Sequence, residues 1–383
     1  MSSAHELFQE GFALKKQGLL SEAVEKFNKS LEIDPDEANT HKILGITLYQ
    51  LGLKDEAIQA LYSALELDPG DRQVADYVNA IPKGEGIPFT KVRVENTNAC
   101  KYTCDMCPRE KMSRKTGIMS PEDYQGFLDR FEEYIEETGL PQPFATTFFM
   151  HGYGEPLLDP GLAEKSAMVR KRFPASSPLI FTTLGVRRSE SYLKNLLDAG
   201  GLRNIVVSFY GFQQTTYDAI QNGGDFKTAR ANLIRLAEFN KSLGNPCIIQ
   251  VQVLLPNTWD TIARDPAEKA AFDELMSILE PLGVTVVELS LHNFGDGRSY
   301  FPADTDKTVC SVVHGLRRMH LNVSWDLKIL PCCFDYNGEV VLGDLRKQSI
   351  AEIYRGEKYE KFLAAHRAGN LDDYPVCKGC DQR

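Results

Sequence analysis

From about residue 90 onward, short apolar runs alternate with longer amphipathic stretches, and this alternation limits the fold more than any other feature. Strands are predicted at Thr90–Glu95, Ala145–Met150, Leu179–Thr183, Ile205–Phe209, Ile248–Leu254 and Thr285–Leu289. Helices are predicted between them, near Pro121–Glu137, Gly161–Arg172, Glu190–Ala199, Phe226–Leu243 and Ala267–Glu280. Because crossovers between parallel strands are right-handed, six such β/α units give a parallel sheet with helices outside. Pattern alone does not separate a barrel from a doubly wound sheet. In a barrel, chemistry belongs at the carboxyl ends of the strands.

A different periodicity governs the first 83 residues. Gly11, Leu14, Gly18, Glu22, Ala23, Leu31, Glu32, Asp34 and Pro35 recur 34 positions later as Gly45, Leu48, Gly52, Glu56, Ala57, Leu65, Glu66, Asp68 and Pro69. Small residues where two helices cross, with Pro after the second helix, form the tetratricopeptide (TPR) signature. Two helical hairpins and a capping helix around Asp71–Ile81 are expected. Such grooves bind peptides or partner proteins, although two repeats give a short groove and a packing or dimerisation role is equally open. The segment holds 14 acidic and 8 basic residues, which favours a basic partner over an acidic one. Pro82–Pro88, with two Pro and two Gly, reads as a linker.

Directly after the first predicted strand, Cys100, Cys104 and Cys107 stand in C-x3-C-x2-C spacing. Three thiolates this close can hold three irons of a four-iron cluster and leave the fourth open to bind a small molecule. A zinc knuckle is the bland alternative, but zinc sites want four ligands, usually in C-x2-C pairs. On this loop the chain resembles the radical S-adenosylmethionine (radical SAM) superfamily, in which the open iron chelates SAM. The resemblance extends to Gly154, Glu155 and Pro156, similar to the family's Gly-Gly-Glu-Pro motif, with Tyr153 in place of the first Gly. It implies that this loop engages the SAM amino group, that Ser208 and more weakly Thr182 and Thr183 contact SAM, and that Met106 lies beside the adenine. The basic segment Arg109–Gly117 meets either an anionic substrate group or only solvent.

Five further cysteines, Cys310, Cys332, Cys333, Cys377 and Cys380, lie in the last 74 residues. Cys310, Cys332, Cys377 and Cys380 are enough to close a second cluster, with Cys332 preferred over Cys333; a structural zinc is the alternative. Val341–Leu345 and Ser349–Ile353 resemble the connecting segment of the SPASM/twitch extension of radical SAM enzymes. Cys247, inside a strand, reads as a buried structural cysteine.

The expected architecture is therefore α/β: TPR helices over 1–83, a partial (β/α)6 radical SAM barrel over 84–300, and a small α+β twitch/SPASM-like domain over 301–383. The resemblance implies SAM, a SAM-binding [4Fe-4S] cluster, an auxiliary [4Fe-4S] cluster and a reductant protein such as flavodoxin or ferredoxin. It implies reductive cleavage of SAM to a 5′-deoxyadenosyl radical that takes a substrate hydrogen atom. A two-electron oxidation is expected, of a peptide or protein held partly by the TPR groove or, alternatively, of a sugar or aminocyclitol. A TPR scaffold with non-catalytic clusters is the reading outside enzymes. No general acid or base is assigned, but His151, His292 and Asn293 stand at predicted strand ends. A net charge of −10 speaks against nucleic acid as the main partner. No apolar run of membrane length and no signal-like start occur, so a cytoplasmic location without a membrane partner is expected.

Overall fold

The computed structural model describes residues 3–51, 53–80, 89, 91–138, 146–198, 201–255, 257–300, 310 and 320–381. Helices α1 (Ala4–Lys16), α2 (Leu20–Ile33), α3 (Ala38–Gln50), α4 (Lys54–Leu67) and α5 (Arg72–Ala80) form the expected hairpins and cap. Ser3 and Glu6 close a capping box at the start of α1. The repeat glycines mark where the helices cross. A Cβ on Gly11 would sit 2.8 Å from the Phe27 ring, and one on Gly45 would sit 2.6 Å from Leu61 Cγ. The linker Pro82–Pro88 lies outside the described residues, as do predicted strand or helix ends at Thr90, Ala145 and Ala199.

Six parallel strands follow: β1 (Lys91–Val94), β2 (Thr147–Phe149), β3 (Ser177–Thr182), β4 (Asn204–Ser208), β5 (Ile248–Leu255) and β6 (Thr285–Ser290). Each pairs with its predecessor, so the order β1 to β6 is sequential. That is the winding of a barrel; a doubly wound sheet reverses its order at a switch point. The ring stays open. On its free side β1 pairs in parallel with β7 (His320–Val323), and β8 (Lys328–Leu330) and β9 (Gly343–Asp344) continue antiparallel. The carboxyl-terminal strands thus extend the barrel sheet, which was not foreseen as part of the expected small domain.

Helices α6 (Pro121–Thr138), α7 (Leu162–Arg172), α8 (Glu190–Asp198), α9 (Gln214–Ile220), α10 (Phe226–Ser242), α11 (Asn257–Arg264) and α12 (Pro266–Leu279) occupy the crossovers. One continuous core runs from Phe89 and Val92 through Phe131, Phe148 and Leu233 to Ile350, Phe362 and Val376. Burial of this apolar surface is the main stabilising contribution, at roughly 25 cal/mol per Å². Asp159 and Lys165, both fully buried, pair at 2.7 Å, and Asn96 donates to the same carboxylate. Cys247 is buried as expected. Among the described residues no helix is long and apolar enough to cross a membrane.

Candidate active site

All the candidate site residues of the barrel gather where β1 to β6 end. The cysteine loop leaves β1 and is tied down by backbone bonds on both sides. Thr103 N–H donates to Asn222 O and Asp105 N–H to Ile220 O, and Cys107 N–H turns back to Cys104 O at 3.0 Å. Asn98 bridges the loop to its own continuation, accepting from Gly117 N–H and donating to Lys115 O. Arg298 caps the loop, donating to Asp105 O and Cys107 O. The three thiols then line one cavity of about 310 Å³ together with Met106, His151, Tyr153, Gly154, Glu155 and Ser208.

The thiols are half-buried, and burial pushes Cys100 up to about 11 and raises Cys104 and Cys107 as well. Cys104 is raised further by Cys107 and Cys100 beside it. Such a trio becomes thiolate only when a metal displaces the protons. Three thiols lining one cavity fit a cluster, in which each thiolate takes its own iron.

The loop after β2 packs onto this one. A Cβ on Gly154 would lie 2.2 Å from Thr97 O, a backbone atom that cannot step aside, so Gly is required there. Glu155 is 2% exposed and its carboxylate takes four hydrogen bonds. Oε1 accepts from Leu157 N–H and the Thr182 hydroxyl, and Oε2 accepts from Thr183 N–H and the Thr183 hydroxyl. Pro156 opens the short 3-10 turn that follows. Glu155 and Thr183 therefore hold each other, and the Thr183 hydroxyl is spent on that bond. Leu184, the next residue, sits at φ 55°, a left-handed conformation unusual for a bulky side chain and found where a site imposes it. On the opposite wall Met106 packs with Tyr210 and Leu254, and Ser208 and Tyr210 both donate to Gln252 Oε1.

The expectation for Arg109–Gly117 resolves residue by residue. Arg109 donates to Asn98 O inside the loop. Arg114 forms a two-pronged ion pair with buried Glu95 at 2.5 and 2.6 Å and also donates to Tyr336 O. Tyr153, standing where the family has Gly, donates its hydroxyl to Cys333 O at 2.7 Å. These contacts join the barrel to the second cysteine region. There, Cys332 is raised by hydrogen bonding to Cys333, then by burial, with Cys310 a further close neighbour. Gly295, at φ 68°, lies against both Val376 and Phe334 O, which brings the Cys377–Cys380 turn beside Cys332 and Cys333. Cys333 and Phe334 reach the same cavity as the first three thiols. His292 also lines the cavity, whereas Asn293, though buried, does not.

Residues 94–265 match the model of the radical SAM superfamily. Over these residues, a little under half of its length, the chain is a radical SAM domain. Residues 315–381 match the iron–sulfur cluster-binding domain SPASM, and residues 43–71 match a tetratricopeptide repeat. A relative from Niallia circulans, an S-adenosyl-L-methionine-dependent 2-deoxy-scyllo-inosamine dehydrogenase, is 24% identical over 297 residues, 76% of this chain and 93% of the relative. Streptococcus suis SuiB bound to precursor peptide SuiA superposes with TM-score 0.52 at 8% identity, over 88% of this chain and 84% of that one. Native anSMEcpe with bound AdoMet superposes with TM-score 0.50 at 14% identity, over 76% and 88% respectively. At these identities the two structures show the fold alone. The radical SAM and SPASM segments call for SAM with a SAM-binding [4Fe-4S] cluster and auxiliary iron–sulfur chemistry.

Arg93 and Glu95 went unremarked in the sequence. Both are charged, two residues apart, and so point to one face of the first barrel strand. Charge on a strand otherwise expected to be apolar is the signal that marks them.

Proposed function

We propose that this radical SAM enzyme oxidises a hydroxyl-bearing carbon of its substrate to the carbonyl, a two-electron dehydrogenation. The observation that carries this reading is the shared cavity, into which both Cys100, Cys104 and Cys107 and the Cys333–Phe334 turn reach. When bound, SAM and a reduced cluster on the loop thiols supply a radical that takes a hydrogen atom, and an auxiliary cluster on Cys310, Cys332, Cys377 and Cys380 supplies an electron acceptor. A reductant of the flavodoxin or ferredoxin type would feed the first cluster.

The protein's own groups orient and exclude. Gly154 lets the loop after β2 approach the cysteine loop, and Glu155 fixes that loop to the end of β3. We assign Met106 and Ser208 to the SAM side of the cavity. The rings of Phe181, Phe294 and Phe334 line the substrate side. Glu155 has no acceptor position free, and the Nε2 lone pair of His151 is taken by Arg93, so the hydroxyl proton leaves to water.

The dehydrogenase relative supports a cyclic polyol as substrate. A basic peptide is the second reading, favoured by the acidic helical hairpins α1 to α4 ahead of the barrel. The test is anaerobic turnover with SAM, a strong reductant and polyols deuterated at the carbinol carbon. One deuterated 5′-deoxyadenosine per ketone is expected, and none from a Cys100→Ala, Cys104→Ala, Cys107→Ala variant that still holds auxiliary iron. Product from basic peptides instead would move the assignment to the second reading. No 5′-deoxyadenosine from fully loaded protein, even with cell extract as substrate source, would sink both.

A further inference from the structure

We infer that the substrate carries an oxyanion group, a carboxylate or a phosphate, and that Arg93, positioned by His151, forms its binding site. This rests on the dehydrogenase reading of the cavity and adds the chemical class of what enters it.

Arg93 is half-buried on β1 and lines the main cavity. Its partners among the described residues are His151 Nε2 at 2.9 Å and the face of the Phe149 ring at 5.2 Å. Neither is an anion. The carboxylates that line a cavity with Arg93 are already committed, Glu95 to Arg114, Glu155 to its four donors and Asp335 to the backbone N–H groups of Glu339 and Val340. Arg93 is thus a cation held at a cavity wall with no carboxylate to balance it among the described residues, an arrangement that favours an incoming anion.

His151 holds the guanidinium in place. A guanidinium only donates, so His151 Nε2 must accept and the ring proton sits on Nδ1. That Nδ1 is buried without a hydrogen-bond partner, in a residue 7% exposed that lines the cavity. Phe181, its ring tilted 51° with centroids 4.7 Å apart, packs against the imidazole. The guanidinium N–H groups that His151 does not take suit the two oxygens of a carboxylate or two of a phosphate. An ammonium group would instead meet Arg93 with no open carboxylate lining the cavity. The Niallia circulans relative is named for an inosamine substrate, and on this ground the two enzymes part company.

Calorimetric titration of anaerobically reconstituted holoenzyme with SAM tests this, using myo-inositol, glucosamine, glucuronate and myo-inositol 1-phosphate as probes. At least one anion is expected to bind about 10- to 100-fold tighter than myo-inositol, the effect of one charge-assisted hydrogen bond, and glucosamine weakest. The glucuronate and phosphate arms tell which oxyanion the site takes. Arg93→Gln should abolish the preference and Arg93→Lys should keep part of it, with SAM affinity and iron content as controls for folding. Equal binding of neutral and anionic polyols by the wild type, or no anion binding at millimolar concentration, would overturn the inference. So would an Arg93→Gln variant that keeps the preference and shifts only the auxiliary cluster's potential, because Arg93 would then serve that cluster. Anion binding without ketone formation leaves the site standing and refutes dehydrogenation; ketone from neutral polyols without anion preference refutes the site alone.

Discussion

Replacing Arg114 by Met is expected to destabilise the barrel and its carboxyl-terminal extension by about 3–5 kcal/mol, the usual loss when one partner of a buried ion pair is removed. Glu95 is only 4% exposed, and Arg114 meets both its oxygens. Without the guanidinium the carboxylate keeps only the Tyr153 and Trp325 backbone N–H groups, at 3.2 and 3.4 Å. That is too little to hold a buried charge. The same guanidinium reaches Tyr336 O, and Asn337 accepts from Ser113 N–H and Arg114 N–H, so one side chain fastens the end of β1 to the region after β8. The loss should appear as a lower denaturant midpoint with less iron retained. The double variant Glu95→Leu, Arg114→Met should regain most of it, because no charge is then stranded. A single variant unfolding at the wild-type midpoint would refute the clasp.

This clasp also shows where sequence reading stops. The hairpins α1 to α4 were legible because a 34-residue repeat is a local signal, written twice in neighbouring chain. The strands β1 to β6 were legible because β-branched runs alternate with amphipathic ones. In contrast, the parallel pairing of Lys91–Val94 with His320–Val323 joins segments more than two hundred residues apart and leaves no periodic trace in either. Short α9 and α11 were missed because neither is long enough to show a helical period. The cysteine spacing and Gly154-Glu155-Pro156 marked the site because its chemistry restricts the residue types. Arg93, Glu95 and Arg114 act through partners brought together by the fold, and a lone charge in a sequence does not name its partner.

Glu155→Gln, an apparently mild change, is expected to weaken SAM binding about 10- to 100-fold, the equivalent of about 1.4–2.8 kcal/mol. Each oxygen of Glu155 accepts one hydroxyl and one backbone N–H, Leu157 N–H on Oε1 and Thr183 N–H on Oε2. Hydroxyls can rotate and offer a lone pair to an amide, but backbone N–H groups cannot. Whichever way the glutamine amide is turned, its NH2 faces one fixed N–H, and a buried donor is left unpaired at about 1–3 kcal/mol. The loop after β2 must then part from the end of β3, displacing Gly154 from its seat against Thr97 O. Glu155→Ala loses all four bonds and should bind SAM more weakly still. Equilibrium binding of SAM to anaerobically reconstituted protein checks this, with iron content and circular dichroism held as controls. Wild-type affinity in Glu155→Gln would mean that neither the carboxylate's charge nor its four donors set the loop for the cofactor.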